Sequence, residues 1–198
     1  MFVKICGLKT LADVDAVKRA GADAMGVVLS QTSVRAVTIQ HAQELVAAGH
    51  DALRTVVVVH DLTIVEALAA VREIGADVLQ LHDYSEADTR LAVSVSGLEV
   101  WRATSITRGS AVVGAYGEDA LLLDSSTPGS GATWDLSMLD ERPEGRWLLA
   151  GGLNPENVAE AISIAQPWGV DVSSGVEVSR GVKDHDRIQR FVAAARSK

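Results

Sequence analysis

Two side chains able to move protons stand where short apolar runs end: Cys6 in V-K-I-C-G-L (residues 3 to 8) and Asp124 in L-L-L-D (residues 121 to 124). Cys6 is the only cysteine in the chain. Judged alone, a free cysteine is more often a small core hydrophobe than a reactive thiol, and an aspartate behind a strand is often a turn residue. Brought into one pocket, either group could take part in proton transfer, provided that burial and neighbouring charges set its pKa.

Two further stretches offer the chemistry of an anion seat: L-A-G-G-L-N-P-E-N-V (149 to 158) and V-D-V-S-S-G-V-E (170 to 177). Gly151 and Gly152 let backbone N–H groups approach a ligand. Asn154 ahead of Pro155 has the pattern of a helix cap followed by a first-turn proline. Ser173, Ser174 and Gly175 are small donors suited to the start of a short helix. Backbone N–H groups at such a start attract phosphate without any lysine.

These residues can cooperate only if the chain gathers its strand ends, and the apolar pattern predicts that it does. Eight β-branched or apolar runs recur, at Phe2 to Ile5, Ala24 to Leu29, Thr55 to Val59, Val78 to Leu81, Leu98 to Trp101, Ala120 to Leu123, Trp147 to Ala150 and Gly169 to Val172. They are continuous rather than alternating, as in strands covered on both faces. Amphipathic stripes lie between several of them: Ala42, Leu45 and Val46; Ile64, Leu68 and Val71 behind a Thr63 to Glu66 capping box; Val158, Ala161, Ile162 and Ala165; Ile188, Phe191, Val192 and Ala195. A-G-A-D-A-M (20 to 25) returns as I-G-A-D-V-L (74 to 79), each closing a helix with glycine before the next strand. Helices after the fifth and sixth strands are weakly signalled, by G-S-A-V-V-G-A-Y-G and D-L-S-M-L-D. The expected fold is α/β, a single (β/α)8 TIM barrel forming one catalytic domain over residues 1–198. Function in such a barrel belongs to the C-terminal strand ends. Those positions hold Cys6, Arg35, His60, Asp61, Gln80, His82, Arg102, Asp124, the paired glycines and Asp171 to Gly175.

Composition removes other classes. With 198 residues, 47% of them hydrophobic, the chain can bury roughly 70% of its unfolded surface as one domain. A single cysteine excludes an intrachain disulfide and a thiolate cluster, so no metal site is expected and a reducing cytoplasm is the natural setting. No secretory h-region or membrane-length apolar run is present. The net charge of -8 argues against a nucleic-acid partner while leaving room for a local anion pocket.

V-K-I-C-G-L, G-A-D-A-M-G-V-V, L-Q-L-H, L-L-L-D, G-S-G-A-T-W-D, A-G-G-L-N-P-E-N-V, V-D-V-S-S-G-V-E and G-V-K-D together resemble the phosphoribosylanthranilate isomerase family of tryptophan biosynthesis. The resemblance runs from the first strand to the last helix. It implies an Amadori rearrangement of N-(5'-phosphoribosyl)anthranilate to 1-(o-carboxyphenylamino)-1-deoxyribulose 5-phosphate, with no cofactor. By the same resemblance Cys6 is the general base, Asp124 the general acid and Arg35 the partner of the substrate carboxylate. His82 is expected to line the pocket, His60 to be a surface histidine and Asp171 to anchor the eighth loop. Arg102 is either a substrate contact or an exposed basic residue. Three segments depart from the family pattern: S-Q-T-S-V-R where Ser-Pro-Arg is common, V-V-V-V-H-D at the third strand, and L-H-D in place of Leu-His-Gly. Other phosphate-binding barrel enzymes, such as the related isomerase of histidine biosynthesis or indole-glycerol-phosphate synthase, acceptance of a second aminoaldose and a non-catalytic sugar-phosphate binder are the competing readings. The expected partner is a phosphorylated aminosugar, and the expected assembly a monomer or weak homodimer.

Overall fold

A computed structural model of the chain describes residues 1–105, 108–124 and 142–197. Eight parallel strands close into a barrel in chain order: β1 (Phe2–Cys6), β2 (Ala24–Leu29), β3 (Arg54–Val59), β4 (Val78–His82), β5 (Glu99–Ser105), β6 (Ala120–Asp124), β7 (Trp147–Leu149) and β8 (Gly169–Val172), with β8 returning to β1. Around them lie α1 (Leu11–Ala20), α2 (Ile39–Gly49), α3 (Ile64–Ile74), α4 (Glu86–Val95), α5 (Val158–Ala165) and α6 (His185–Arg196). A small antiparallel pair, β9 (Glu177–Ser179) and β10 (Val182–Lys183), follows β8 and has no counterpart in the sequence reading. Among the described residues no helix is long and apolar enough to cross a membrane.

Both faces of the strands are covered, which is why they read as unbroken apolar runs. Val3, Ile5, Met25, Val27, Val57, Leu79 and Leu121 pack outward in the layer shared with the helices. Cys6, Ala24, Val56, Val78, Trp101, Ala103, Leu122 and Leu148 form a second cluster within the barrel. Phe2 stacks on Trp168 at 4.4 Å and meets Trp101 edge-on at 6.0 Å. These rings fill the end of the barrel where the strands begin, so open space is left where they finish.

The Gly-Ala-Asp repeat has a double purpose. Gly21 and Gly75 take the left-handed conformation (φ 74° and 76°) that ends α1 and α3. Two residues later the aspartate ties neighbouring strands at their starts. Asp23 Oδ2 accepts from the Val3 N–H at 2.7 Å, and Asp77 Oδ2 accepts from the N–H and Oγ1 of Thr55, each at 2.8 Å. Asp119 repeats the bond with the Val100 N–H at 2.8 Å. Strands β1/β2, β3/β4 and β5/β6 are thus joined by the same device.

Strand β5 runs to Ser105, four residues beyond the expected end, and this corrects the reading of Arg102. It is a mid-strand residue facing out of the barrel, 2% exposed, and so neither a substrate contact nor a surface cation. Its Nε donates to Glu118 Oε1 at 2.8 Å, its other nitrogens to the carbonyls of Ser110 and Val112, and its guanidinium lies 4.5 Å from the Tyr116 ring centre. Residues 108–119 form turns rather than an α-helix. The arginine packs beneath this segment and satisfies two of its carbonyls. D-L-S-M-L-D and G-S-G-A-T-W-D lie outside the described residues.

Asp77→Ala should lower the unfolding free energy by about 1–3 kcal/mol, because the Thr55 N–H loses its acceptor. Denaturant titration checks this. Unchanged stability would mean that the bond at the strand starts contributes nothing net.

Candidate active site

At the C-terminal ends of the strands the barrel opens into a cavity of about 540 Å³, within the usual range for small-molecule sites. Cys6 and Asp124, the last residues of β1 and β6, both line it. So do Arg35, His82, Gly151, Gly152, Ser173 and Ser174. All eight strands contribute through their own residues or, for β7, through the segment just after it, so the cavity exists only because the sheet closes.

Cys6 is 7% exposed. Burial pushes its thiol pKa up, the ammonium of Lys4 pulls it down, and the net direction is up. Gly7 follows at φ 76°, and a Cβ there would stand 2.7 Å from Arg35 Cδ and 3.0 Å from Ser173 Oγ. The glycine after the cysteine therefore lets the β2 and β8 loops close over the end of β1.

Arg35 sits on the loop after β2, which Asp61 holds in shape by accepting from the N–H groups of Gln31 and Thr32 and the hydroxyls of Ser30 and Thr32. Its guanidinium is bidentate to Glu177, Nε to Oε1 at 2.7 Å and one terminal nitrogen to Oε2 at 2.8 Å. Lys183 Nζ also reaches Glu177 Oε1 at 3.0 Å and the Ser173 carbonyl at 2.8 Å. Burial works against the Glu177 charge, but Arg35, Lys183 and the Gly181 N–H outweigh it and hold the carboxyl at about 2. This network links the β2 loop, the β8 loop and the β9/β10 hairpin.

The loops after β7 and β8 meet as expected, with two corrections of detail. Gly151 and Gly152 adopt φ 83° and 67° at the cavity wall. Asn154 and Gly175 do not line the cavity. Asn154 Oδ1 accepts from the N–H groups of Glu156 and Asn157, shaping a turn, and α5 begins only at Val158. Gly175 lies against the neighbouring loop instead of the ligand space. A Cβ there would come within 1.8 Å of the Leu153 carbonyl oxygen, so the glycine is what allows the two loops to touch. The small donors after β8 form one short 3-10 turn, Ser174–Val176.

His82 lines the cavity at the end of β4, and burial lowers its pKa, favouring neutral imidazole. His60, expected on the surface, is exposed yet also lines the cavity, with its ring 5.4 Å from that of His82. Asp83, where the family pattern has glycine, takes the left-handed region at φ 56°. Asp171, expected to anchor the eighth loop, is 8% exposed and accepts from Lys4 Nζ at 2.9 Å, a bond between β8 and β1.

Three residues to which the sequence reading assigns no role also belong to the site, Gln80 having been named only as a strand-end position. Lys4 is completely buried beside Cys6; its signal was a lysine two positions before the cysteine, on the same face of an otherwise apolar strand. Gln80 lines the cavity at 2% exposure, and its Oε1 has no hydrogen-bond partner among the described residues. Its signal was a polar residue inside L-Q-L-H, again two before an inward-facing side chain. Arg180 reaches the rim from the turn between β9 and β10, a hairpin that the apolar pattern did not disclose.

A closed parallel barrel with a thiol, a carboxyl and glycine-rich loops around one cavity defines a (β/α)8-barrel enzyme. The sequence model of N-(5'phosphoribosyl)anthranilate (PRA) isomerase matches residues 3–194, and the chain belongs to that family. A curated N-(5'-phosphoribosyl)anthranilate isomerase from Haloferax volcanii is 40% identical over 207 residues, covering 98% of this chain and 93% of its own. The crystal structure of TrpF from Jonesia denitrificans is 49% identical and superposes with a TM-score of 0.93 over 99% of this chain and 97% of its own. A phosphoribosyl anthranilate isomerase solved in complex with reduced 1-(o-carboxyphenylamino)-1-deoxyribulose 5-phosphate is 30% identical, with a TM-score of 0.84 over 98% of each chain.

Two predictions arise from this geometry. Gly175→Ala should cost about 1–3 kcal/mol of stability through overpacking against Leu153, and an unaltered thermal midpoint would show that the loops can part freely. For Glu177, a folded pKa of about 2 lies below the ordinary 4.5, so its stabilisation is complete above about pH 5 and is lost as pH falls toward 2. The stability difference between wild type and Glu177→Gln should be flat above about pH 5 and shrink below it. A difference that stays constant down to about pH 2 would mean that Glu177 is not held ionised.

Proposed function

We propose that this cavity performs the isomerase step of tryptophan biosynthesis on N-(5'-phosphoribosyl)anthranilate, with Cys6 and Asp124 as the proton-transfer pair. The observation that carries the reading is the convergence of these two strand-end groups on one cavity with the loops after β7 and β8. Family membership supports the reaction. The ligand in the related complex, a reduced aminoketose phosphate, supports the substrate class.

The chemistry follows from what each group can do. Asp124, as the acid, protonates the furanose oxygen; the ring opens and leaves a protonated Schiff base at C1'. Cys6, as thiolate, removes the C2' proton and becomes a thiol, while the electrons of the C2'–H bond flow toward the iminium nitrogen. The resulting enolamine tautomerises to the ketone. The product has the atoms of the substrate, so no oxidant, reductant or external group is consumed.

Binding is divided among charges and dipoles. Gly151, Gly152, Ser173 and Ser174 supply backbone and hydroxyl donors for the phosphate. A guanidinium has five N–H donors, and Glu177 occupies one edge of Arg35, so the other edge is left to pair with the substrate carboxylate. Glu177 then fixes the orientation of Arg35 rather than competing with the substrate. The substrate is a small phosphorylated molecule, and neither a membrane nor nucleic acid enters this mechanism.

Cys6→Ala and Asp124→Asn should each reduce kcat by at least about 100-fold, the range for losing a general base or acid, while thermal unfolding changes little. Turnover of phosphoribosylanthranilate, followed by fluorescence loss or by coupling to the next enzyme, measures this. Near-normal turnover by Cys6→Ala would return the thiol to the core and overturn the assignment of the base.

A further inference from the structure

Lys4 is a fully buried ammonium to which neither the phosphate seat nor the proton-transfer pair assigns a task. On β1 the side chains of Phe2, Lys4 and Cys6 share the barrel interior by the two-residue alternation of a strand. Lys4 and Asp171 are directly opposed in the β1/β8 register, and their side chains meet at 2.9 Å. An ion pair here costs desolvation that an apolar pair of similar volume would avoid, so its presence calls for a use.

The other neighbour of Lys4 is the thiol. Gly26 of β2 pairs in register with Cys6, and a Cβ at Gly26 would lie 3.0 Å from Cys6 Sγ and 3.3 Å from Lys4 Cε. The absent side chain leaves one recess that the sulfur and the end of the lysine stem occupy together. No titratable group faces them from Gly26 itself. From β8 comes Asp171; from β10, Lys183; from the β2 loop, Arg35; across the cavity stand Asp124 and His82. Lys4 pairs with Asp171, while Arg35 and Lys183 share the single carboxylate of Glu177. Lys4, Arg35 and Lys183 therefore surround Cys6 with Asp171 and Glu177 as their partners, while Asp124, the acid of the proposed reaction, stands across the cavity.

We propose that Lys4, anchored by Asp171, is a positioning residue that stabilises the thiolate of Cys6 for proton abstraction. The proposal rests on the reading of Cys6 as the base. Burial drives the thiol toward its protonated form, and Lys4 is the strongest opposing influence, whereas Asp171 acts against the thiolate. The aspartate holds the lysine in place at the expense of part of its effect. The pair thereby sets how much thiolate exists near neutrality.

Because Cys6 is the only cysteine, its ionisation can be read directly from the pH dependence of alkylation by iodoacetamide, independently of turnover. Lys4→Met combined with Asp171→Asn removes both charges without orphaning either. In that variant the acid limb of the alkylation profile should move up by at least about one pH unit, with a roughly tenfold slower reaction at pH 7. The kcat should fall in parallel and recover at high pH, with KM little changed. Asp171→Asn alone keeps the size of the side chain and an oxygen acceptor for Lys4, so it preserves packing, and its profile should move the opposite way, to lower pH. Opposite shifts would not arise from a merely structural role. A profile unmoved in Asp171→Asn, or moved upward, overturns the proposal, as does an unshifted profile in the folded double variant. Should the double variant not fold, the direction seen in Asp171→Asn decides. Normal turnover by Cys6→Ala would instead defeat the assignment of the base, whichever way the thiol titrates.

Discussion

Closure of the sheet between β8 and β1 sets a buried lysine beside an aspartate at the cavity floor, and the arrangement of the cavity depends on that contact. Lys4 and Asp171 come from opposite ends of the chain, 167 positions apart, yet occupy one rung of the barrel. Each satisfies a charge that would be costly to bury alone. Their rung lies between the aromatic plug of Phe2, Trp101 and Trp168 and the open cavity, so it separates a packed floor from a polar chamber. The room needed above it comes from absent side chains: Gly26 makes space for the sulfur and the lysine stem, and Gly7 makes space for Arg35 and Ser173.

A second cluster of charge ties together the loops above this pair. Glu177 receives Arg35 from the β2 loop, Lys183 from β10 and an N–H from Gly181. The same lysine holds the Ser173 carbonyl. Segments separated by more than a hundred residues are thus given one relative placement by a single carboxylate. This is the kind of support that a site needs if its binding groups are backbone dipoles, since dipoles act only when correctly aimed. The chain's negative net charge is compatible with an anionic substrate for this reason: attraction is local and oriented, and the overall field matters less than the few groups at the strand ends.

The circumference of the barrel is less regular than its sheet. Arg102, Glu118 and Tyr116 occupy the outer face after β5, where residues 108–119 form turns. An arginine can do this because its guanidinium bonds a carboxylate and two carbonyls at once while its stem packs as hydrocarbon. Elsewhere the repeated aspartates at the starts of β2, β4 and β6 bring neighbouring strands into register, so local sequence and barrel order reinforce each other.

Much of this was legible from the residues alone. Strands, their two-sided burial, the capped helices and the glycine-closed turns are short-range consequences of apolar pattern and backbone preference, and a chain spells these out within a few residues. The meeting of Cys6, Asp124 and the two glycine-rich loops was legible too, because a parallel barrel must place its strand ends on one side. Contacts across the barrel were not. Nothing near Lys4 in the chain announces Asp171, nothing near Arg35 announces Glu177, and the need for glycine at 175 is set by the carbonyl of Leu153 in another loop. Arg102 was misread because the length of β5, and so the face its middle residues present, is decided by pairing with β4 and β6. The barrel and the chemical groups at its mouth follow from short-range pattern, whereas the charges that lie together are selected by register, closure and burial, which are properties of the assembled sheet.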